Sequence, residues 1–75
     1  MIKRGGIVAE FGKTRLWLVK YRGDLTQQQV ANKAGISRSY YAELESGNKN
    51  PGVETAKKLG DVLMFDWTIF FNVRS

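Results

Sequence analysis

Length, composition and charge exclude several classes of protein before any motif is considered. The chain has 75 residues, enough for one domain, and its 43% hydrophobic and 12% aromatic content is typical of a folded protein. It contains no cysteine and no histidine, which excludes disulfides and thiol nucleophiles, argues against a zinc site and removes the commonest general base. We therefore expect no enzyme activity and no cofactor. No apolar stretch approaches the roughly 20 residues of a membrane span, and residues 1–10 lack a signal-peptide core. A cytoplasmic location without a membrane partner is expected.

The net charge of +5 is unevenly distributed along the chain. Residues 23–50 and 51–75 are each balanced, whereas residues 1–22 carry one anion, Glu10, and six cations: Lys3, Arg4, Lys13, Arg15, Lys20 and Arg22. This basic segment has two interpretations. It is either a solvated arm, or an arm and first helix that lie against the phosphates of a nucleic acid.

The first part of the chain predicts an arm followed by a helix. Residues 1–12 place three glycines around the apolar run Ile7–Ala9, which is typical of an irregular arm or a short extended piece. Apolar residues at three- and four-residue spacings then predict a helix over Thr14–Tyr21, and Gly23 and Asp24 end it.

Capping signals define the next two helices. Thr26 and Gln29 have the spacing of a capping box and begin a second helix, whose buried stripe is Val30, Ala31 and Ala34. Gly35 can adopt the positive φ of a tight turn. Ser37 is then the N-cap of a third helix, residues 38–46, which Gly47 ends.

The last third of the sequence predicts two more helices. One covers Val53–Leu63, with Val53, Ala56, Leu59 and Leu63 on one face, and Asp66 caps a short final helix that carries Trp67, Phe70 and Phe71. Gly60 lies inside the fourth helix at a cost of about 1 kcal/mol. Met64 stands where a glycine C-cap is expected, so we expect looser or differently angled packing after it. Five helices with no strand pattern predict an all-α bundle.

Residues 27–44 combine the features that two steeply crossing helices require. Ala31 is small where the helices approach, Gly35 permits the turn, and four apolar residues clamp the later helix onto the earlier one: Val30, Ile36, Tyr41 and Leu44. Chance composition does not produce this ordered set. The segment is predicted to be a helix-turn-helix.

From Leu25 to about Phe71 the chain resembles the Cro/C1-type, or XRE, helix-turn-helix family. The resemblance lies in the Leu-Thr-Gln opening, the Ala-Gly-Ile-Ser turn, the Glu-x-Gly ending and the Asn-Pro-x-Val-Glu-Thr-Ala-Lys-Lys-Leu fourth helix. It implies a compact, lambda-repressor-like five-helix domain over residues 13–72, preceded by an arm over residues 1–12. It also implies that helix 38–46 enters the major groove of double-stranded DNA.

Helix geometry assigns directions to the side chains of that third helix. At about 100° per residue, Tyr41 and Leu44 point inward and the opposite side faces outward. The residues predicted to read bases are Arg38, Ser39, Tyr40, Ala42 and Glu43. Arg38 suits a guanine edge and Glu43 a cytosine amine, although Glu43 is equally consistent with a solvated carboxylate that discourages non-specific binding. Tyr40 is either a phosphate hydrogen-bonder or an exposed aromatic.

A second set of residues is predicted to contact phosphate or to hold the helices together. By resemblance, Gln27 contacts a phosphate and braces the recognition helix, and the polar loop Asn48, Lys49 and Asn50 is placed to touch the sugar-phosphate backbone. Backbone amides at the start of the second helix would add to the anion site. Glu45 is interpreted as structural, paired with Lys20, where the family commonly has a basic residue.

These features lead to two hypotheses about function. The first is a small, repressor-like transcriptional regulator that binds DNA as a homodimer, with Trp67, Ile69, Phe70 and Phe71 available either for the dimer contact or for internal packing. The second is a protein-interaction module, such as an antitoxin-like partner, that retains the fold. The neutral charge of residues 23–50 leaves this second hypothesis open.

Overall fold

A computed structural model describes residues 14–72 and shows five helices joined by short loops, with no strand in that range. This confirms the predicted all-α class. The predicted arm, residues 1–12, lies outside the described residues. The helices are α1 (Leu16–Arg22), α2 (Gln27–Ala34), α3 (Arg38–Ser46), α4 (Val53–Leu63) and α5 (Ile69–Asn72). No helix of the described range is long and apolar enough to cross a membrane.

The helix-turn-helix begins at the predicted capping box. The Thr26 hydroxyl accepts from the Gln29 amide at 3.0 Å, and the Gln29 side-chain oxygen accepts from the Thr26 amide at 2.8 Å. α2 ends at Gly35, whose φ of 73° lies in the left-handed region. A Cβ at Gly35 would meet nothing within 4 Å, so the backbone angle and not crowding favours glycine here. Ser37 then caps α3 by accepting from the Tyr40 amide.

The core lies where α2 packs against α3 and α4, with α1 packed on α3. The buried apolar residues are Leu18, Val30, Ala31, Ala34, Tyr41, Leu44, Ala56, Leu59, Leu63 and Phe70. The inward direction predicted for α2 and α3 is confirmed. Of the four residues predicted to share one face of α4, Ala56, Leu59 and Leu63 are buried and Val53 remains 52% exposed. Helical spacing gives the direction of a side chain, but it does not show whether a neighbouring element extends far enough to cover it.

The end of α4 is tightly packed, against the expectation of looser packing. Met64 itself adopts the left-handed conformation, with φ of 63°, and so ends the helix without a glycine. The following residues fold back on α4, where the Phe65 amide donates to the Gly60 carbonyl at 3.0 Å. A Cβ at Gly60 would lie 2.8 Å from the Phe65 carbonyl oxygen and 3.1 Å from Cβ of Trp67. Glycine is therefore needed inside this helix because the returning backbone touches it.

Aromatic side chains connect the two ends of the domain. The Asp66 carboxylate accepts from the Thr68 amide and hydroxyl and so shapes the turn before α5. The prediction that the last helix carries Trp67 is wrong, because Trp67 lies in this turn and α5 begins at Ile69. Phe70 on α5 then packs its ring against Trp17 of α1, with centroids 4.9 Å apart and planes at 70°. Phe65 completes the cluster at 5.4 Å from Trp17. Edge-to-face pairs of this kind contribute about 0.5–1.5 kcal/mol beyond their buried area.

The contact at Gly60 predicts that an alanine at this position destabilises the protein, although alanine has the higher helix propensity. Alanine is the better helix former by about 1 kcal/mol, so an exposed Gly→Ala change would stabilise the helix. We expect Gly60→Ala to lower the free energy of unfolding by about 1–3 kcal/mol, because the new methyl group must displace the backbone at Phe65. Urea denaturation followed by circular dichroism measures this change.

The control for this experiment is Lys58→Ala, at an exposed position of the same helix. It exchanges two good helix formers and should alter the free energy of unfolding by about 0.5 kcal/mol or less. A Gly60→Ala protein as stable as the parent would show that the chain after Met64 does not pack on α4 as described.

Candidate nucleic-acid interface

The residues predicted to read bases lie along the outer side of α3. Arg38 and Ser39, in its first turn, are exposed, while Ala42 and Glu43 are half-buried. Tyr40 is also half-buried and packs against the edge of the core, so it is neither fully buried nor a free surface aromatic. On the inner side Tyr41 and Leu44 are fully buried. α3 therefore presents its N-terminal turn to solvent and anchors its second half in the core.

A buried carboxylate near the end of α3 connects three helices. Glu45 is 5% exposed and accepts hydrogen bonds from donors on α1, α2 and α3. The Arg22 guanidinium donates from Nε to Oε2 at 2.6 Å and from Nη2 to Oε1 at 3.2 Å. The Tyr41 hydroxyl donates at 2.7 Å and the Gln27 amide at 2.9 Å. Each carboxylate oxygen is thus satisfied twice, as a buried charge requires.

These contacts change the acidity of the groups involved. Burial by itself would raise the pKa of Glu45, but the hydrogen bonds from Arg22, Tyr41 and Gln27 outweigh it and hold the pKa below its ordinary value. Burial, followed by the hydrogen bond to Glu45, raises the pKa of the Tyr41 hydroxyl. The hydrogen bond to Glu45 raises the pKa of Arg22. Glu45 is therefore a carboxylate at neutral pH, with Tyr41 as a protonated donor.

The structural role predicted for Glu45 is confirmed, but the predicted partner, Lys20, is wrong. Arg22 takes that place and Lys20 is exposed. On a helix, residues four apart share a face, so Arg22 lies on the same side of α1 as the buried Leu18. Lys20 is about 200° from both and points away. The sequence does not single out this face of α1, because Leu16 is as apolar as Leu18 and yet is 53% exposed.

The first helix was predicted to begin at Thr14, but α1 begins at Leu16, so Arg15 precedes it. The contacts of Arg15 were not predicted from the sequence. Its backbone amide donates to the Glu45 carbonyl at 2.7 Å. Its Nη1 donates to the Leu44 carbonyl at 2.7 Å and to the Lys49 carbonyl at 3.0 Å, while Nη2 donates to Oδ1 of Asn50 at 2.6 Å. Burial lowers the pKa of this guanidinium. Arg15 lies three residues before the buried Leu18, again the inner face of α1.

Two cations of the basic segment are thus engaged inside the protein. Arg15 and Arg22 both belong to the excess of positive charge in residues 1–22, one interpretation of which is that it lies against phosphate. That interpretation is wrong for these two side chains, because their guanidinium groups bind carbonyl and carboxylate oxygens of the same chain. Lys20 is the exposed cation of α1. The number of charged residues in a sequence segment does not show which cations bind groups of the same chain and which point into solvent.

The predicted phosphate-contacting residues lie on α2 and in the loop after α3. The Gln27 side chain donates to Glu45 and so braces α3, and its phosphate contact stays a prediction. Asn48, Lys49 and Asn50 are all exposed. The amides of Asn48 and Lys49 donate to the Glu43 carbonyl at 3.1 and 3.3 Å, which holds the loop against the end of α3.

Comparison with known proteins agrees with this arrangement. A helix-turn-helix family profile matches residues 18–64. The "Uncharacterized HTH-type transcriptional regulator YqaF" of Bacillus subtilis (strain 168) is 49% identical over 59 residues, which are 76% of this chain and 78% of that protein. The "Immunity repressor protein" of Bacillus phage phi105 is 37% identical over 49 residues, which are 65% of this chain and 34% of that protein. No solved structure gives a significant match.

The helical fold and the family match together define a DNA-binding helix-turn-helix protein and not an enzyme. The chain belongs to the Cro/C1-type, or XRE, helix-turn-helix family. The predicted family is confirmed. Among the described residues no group of three or more acidic side chains is arranged to hold a metal ion.

The Glu45 contacts generate a prediction about acid stability. An unfolded glutamate titrates at about pH 4.3, and the folded pKa of Glu45 is lower. The stability that the carboxylate contributes is therefore complete above the unfolded pKa and is lost as the pH falls through the folded one. We expect Glu45→Gln to lower the free energy of unfolding by about 2–3 kcal/mol at pH 7, and by much less at pH 3.

Urea denaturation at a series of pH values between 3 and 7 measures both effects. Tyr41→Phe serves as a graded comparison, because it removes one neutral donor and should cost about 1 kcal/mol. Equal stability losses for Glu45→Gln at pH 3 and pH 7 would contradict the role assigned to the ionised carboxylate.

Proposed function

We propose that this protein is a small, repressor-like transcriptional regulator that places α3 in the major groove of double-stranded DNA. The observation that supports this most is the division of α3 into an exposed first turn, with Arg38 and Ser39, and an anchored inner side, with Tyr41 and Leu44. A recognition helix needs free side chains at its N-terminal end and a fixed orientation. The names of the two similar proteins, one from Bacillus subtilis and one from a Bacillus phage, support a role in regulation.

The proposed base contacts follow from side-chain chemistry and exposure. Arg38 presents a planar, exposed guanidinium, which matches the O6 and N7 acceptors of guanine. Ser39 offers a short hydroxyl beside it. Ala42 is small enough for the helix to sit deep in the groove, and the half-buried Glu43 is suited to accept from a cytosine amine. Tyr40 contributes the outer part of its ring, since the remainder packs against the core.

The proposed phosphate contacts lie at the ends of α2 and α3. Asn48, Lys49 and Asn50 supply exposed donors in the loop after α3. At the start of α2 the capping box uses the amides of Thr26 and Gln29. The amides of Gln27 and Gln28, which have no partner within the helix, are the ones suited to an anion. Such contacts set the register of the protein on the duplex.

We also propose that the protein binds DNA as a homodimer. Phe70 is buried and belongs to the core, whereas Phe71 on the same helix is 50% exposed. The Phe71 ring lies edge-on to the Trp67 ring, with centroids 6.0 Å apart. The Lys57 ammonium nitrogen lies over the Trp67 ring, 5.3 Å from its centroid. The exposed ring of Phe71, backed by the half-buried Trp67, suits a contact between two copies.

Selection of bound duplexes from a random library tests the proposed function, followed by affinity measurements over a range of salt concentrations. We expect an enriched sequence with two-fold symmetry and a falling affinity as salt rises. Binding to no duplex, even at low salt, would favour the protein-interaction hypothesis instead. Arg15 and Arg22 donate to oxygens of the same chain, so fewer cations are available to contact phosphate, and this observation favours that alternative.

Two substitutions separate base readout from phosphate contact. Arg38→Ala should weaken binding to the selected sequence by about 1–3 kcal/mol and relax the preference at one base pair. Lys49→Ala should weaken binding to all sequences alike and reduce the slope of log affinity against log salt by about one. Fluorescence anisotropy with the selected duplex and single-base variants measures both. A uniform loss across sequences for Arg38→Ala would make it a phosphate contact.

The dimer contact has its own test by sedimentation. We expect Phe71→Ser to shift the protein towards monomer and to weaken binding to a two-site duplex at least tenfold, which is 1.4 kcal/mol. Leu16→Ser is the matched control, since Leu16 is 53% exposed on α1, and it should leave the association state unchanged. A Phe71→Ser protein that sediments like the parent would remove this surface as the dimer contact.

A further inference from the structure

Arg15, which precedes α1, forms hydrogen bonds to α3 and to the loop after it and also contacts α5. Its backbone and guanidinium bind the carbonyls of Glu45 and Leu44, which belong to the last turn of α3. The same guanidinium binds the Lys49 carbonyl and the Asn50 side chain, in the loop that follows. Its carbon atom Cζ lies 5.4 Å from the centroid of the Phe70 ring on α5. One side chain therefore joins the end of the recognition helix, the next loop and the C-terminal helix.

The chemistry of a helix end explains why a cation is suited to this place. The last four carbonyls of a helix lack partners within it, and the helix dipole makes that end negative. At the end of α3, Ser46 and the amides of Asn48 and Lys49 bind the Glu43 carbonyl. Arg15 supplies donors to the next two carbonyls. The planar guanidinium can also reach the loop from the same position, which a lysine ammonium cannot do as well.

The loop is thus held from both sides. The amides of Asn48 and Lys49 tie its beginning to Glu43, at 3.1 and 3.3 Å. Arg15 ties its later part through the Lys49 carbonyl and the Asn50 side chain. The Lys49 side chain itself takes no part in these bonds and is exposed. Removing Arg15 would release the Lys49 carbonyl and the Asn50 side chain while leaving the Lys49 ammonium group in place.

We propose that Arg15 is a positioning residue for DNA binding, which holds the loop 48–50 in the conformation that places Lys49 on a phosphate. Arg15 acts through the loop and does not itself contact the duplex, because its guanidinium is directed to oxygens of the same chain and against Phe70. This inference rests on the proposed function. On this proposal Arg15 contributes to the affinity for DNA indirectly, by positioning the loop, and not as a positive charge on the surface.

The first experiment compares Arg15→Lys and Arg15→Gln by fluorescence anisotropy on the selected duplex, at temperatures where circular dichroism shows both proteins folded. Lysine keeps the charge but loses the fork that reaches three acceptors. We expect both variants to lose about tenfold in affinity, on all sequences alike, with a salt slope smaller by about one. Binding by Arg15→Lys within twofold of the parent would overturn the proposal, since charge alone would then be sufficient.

A double-mutant cycle with Lys49→Ala separates positioning from a contact of Arg15 with DNA. The alanine removes the ammonium group but keeps the Lys49 carbonyl, which is the atom that Arg15 binds. If Arg15 acts by placing Lys49, then Arg15→Lys should cost about threefold or less in the Lys49→Ala background. The same tenfold loss in both backgrounds would overturn the proposal, because the two residues would then act independently.

Nuclear magnetic resonance of the free protein tests the loop without DNA. We expect the heteronuclear ¹H–¹⁵N NOE of the amides of residues 48–50 to fall in Arg15→Lys, while those of α2 stay unchanged. Unchanged values in the loop would overturn the proposal. If the loop values fall but neither the parent nor the variants bind any duplex, the proposed function fails, while the ordering of the loop by Arg15 remains demonstrated.

Discussion

The carboxylate of Glu45 is the charge around which the helix-turn-helix is assembled. A buried, ionised carboxylate would be strongly unfavourable without compensation, and here Arg22 of α1, Gln27 of α2 and Tyr41 of α3 all donate to it. These donors come from three helices, so the bonds can form together only when the helices have one mutual arrangement. The hydrophobic core makes the helices associate, whereas this network determines the angle at which α3 is presented.

The arginines of this protein have different tasks, which their burial separates. Arg22 and Arg15 lie against the C-terminal end of α3, where Arg22 pairs with the Glu45 carboxylate and Arg15 binds backbone carbonyls. Arg38 is exposed at the opposite end of α3, where its donors face solvent. The first two therefore hold the C-terminal end of α3 in place, whereas Arg38 lies on its exposed first turn.

The C-terminal part shows how one local departure supports another. Met64 takes a left-handed conformation that costs a non-glycine residue about 1–2 kcal/mol. The turn that it makes brings the Phe65 carbonyl against Gly60 and places Phe65 beside Trp17. Packing of the aromatic cluster against α1 thus offsets the strain at Met64, and the glycine inside α4 is required for the close approach. The unusual residues at positions 60 and 64 therefore belong to one structural feature, the turn that folds the chain back on α4.

Local signals in the sequence determined the helices, their caps and the family. The capping box at Thr26, the turn at Gly35 and the inward direction of Tyr41 all follow from residues within a few positions of each other, where backbone geometry is decided locally. The partner of Glu45, the contacts of Arg15 and the need for Gly60 were decided only by the tertiary structure. Each depends on distances between elements far apart in the chain, and several cations in the sequence are chemically suited to one carboxylate. Only the packing of α1 on α3 selects among them, because it fixes which face of α1 is turned inward.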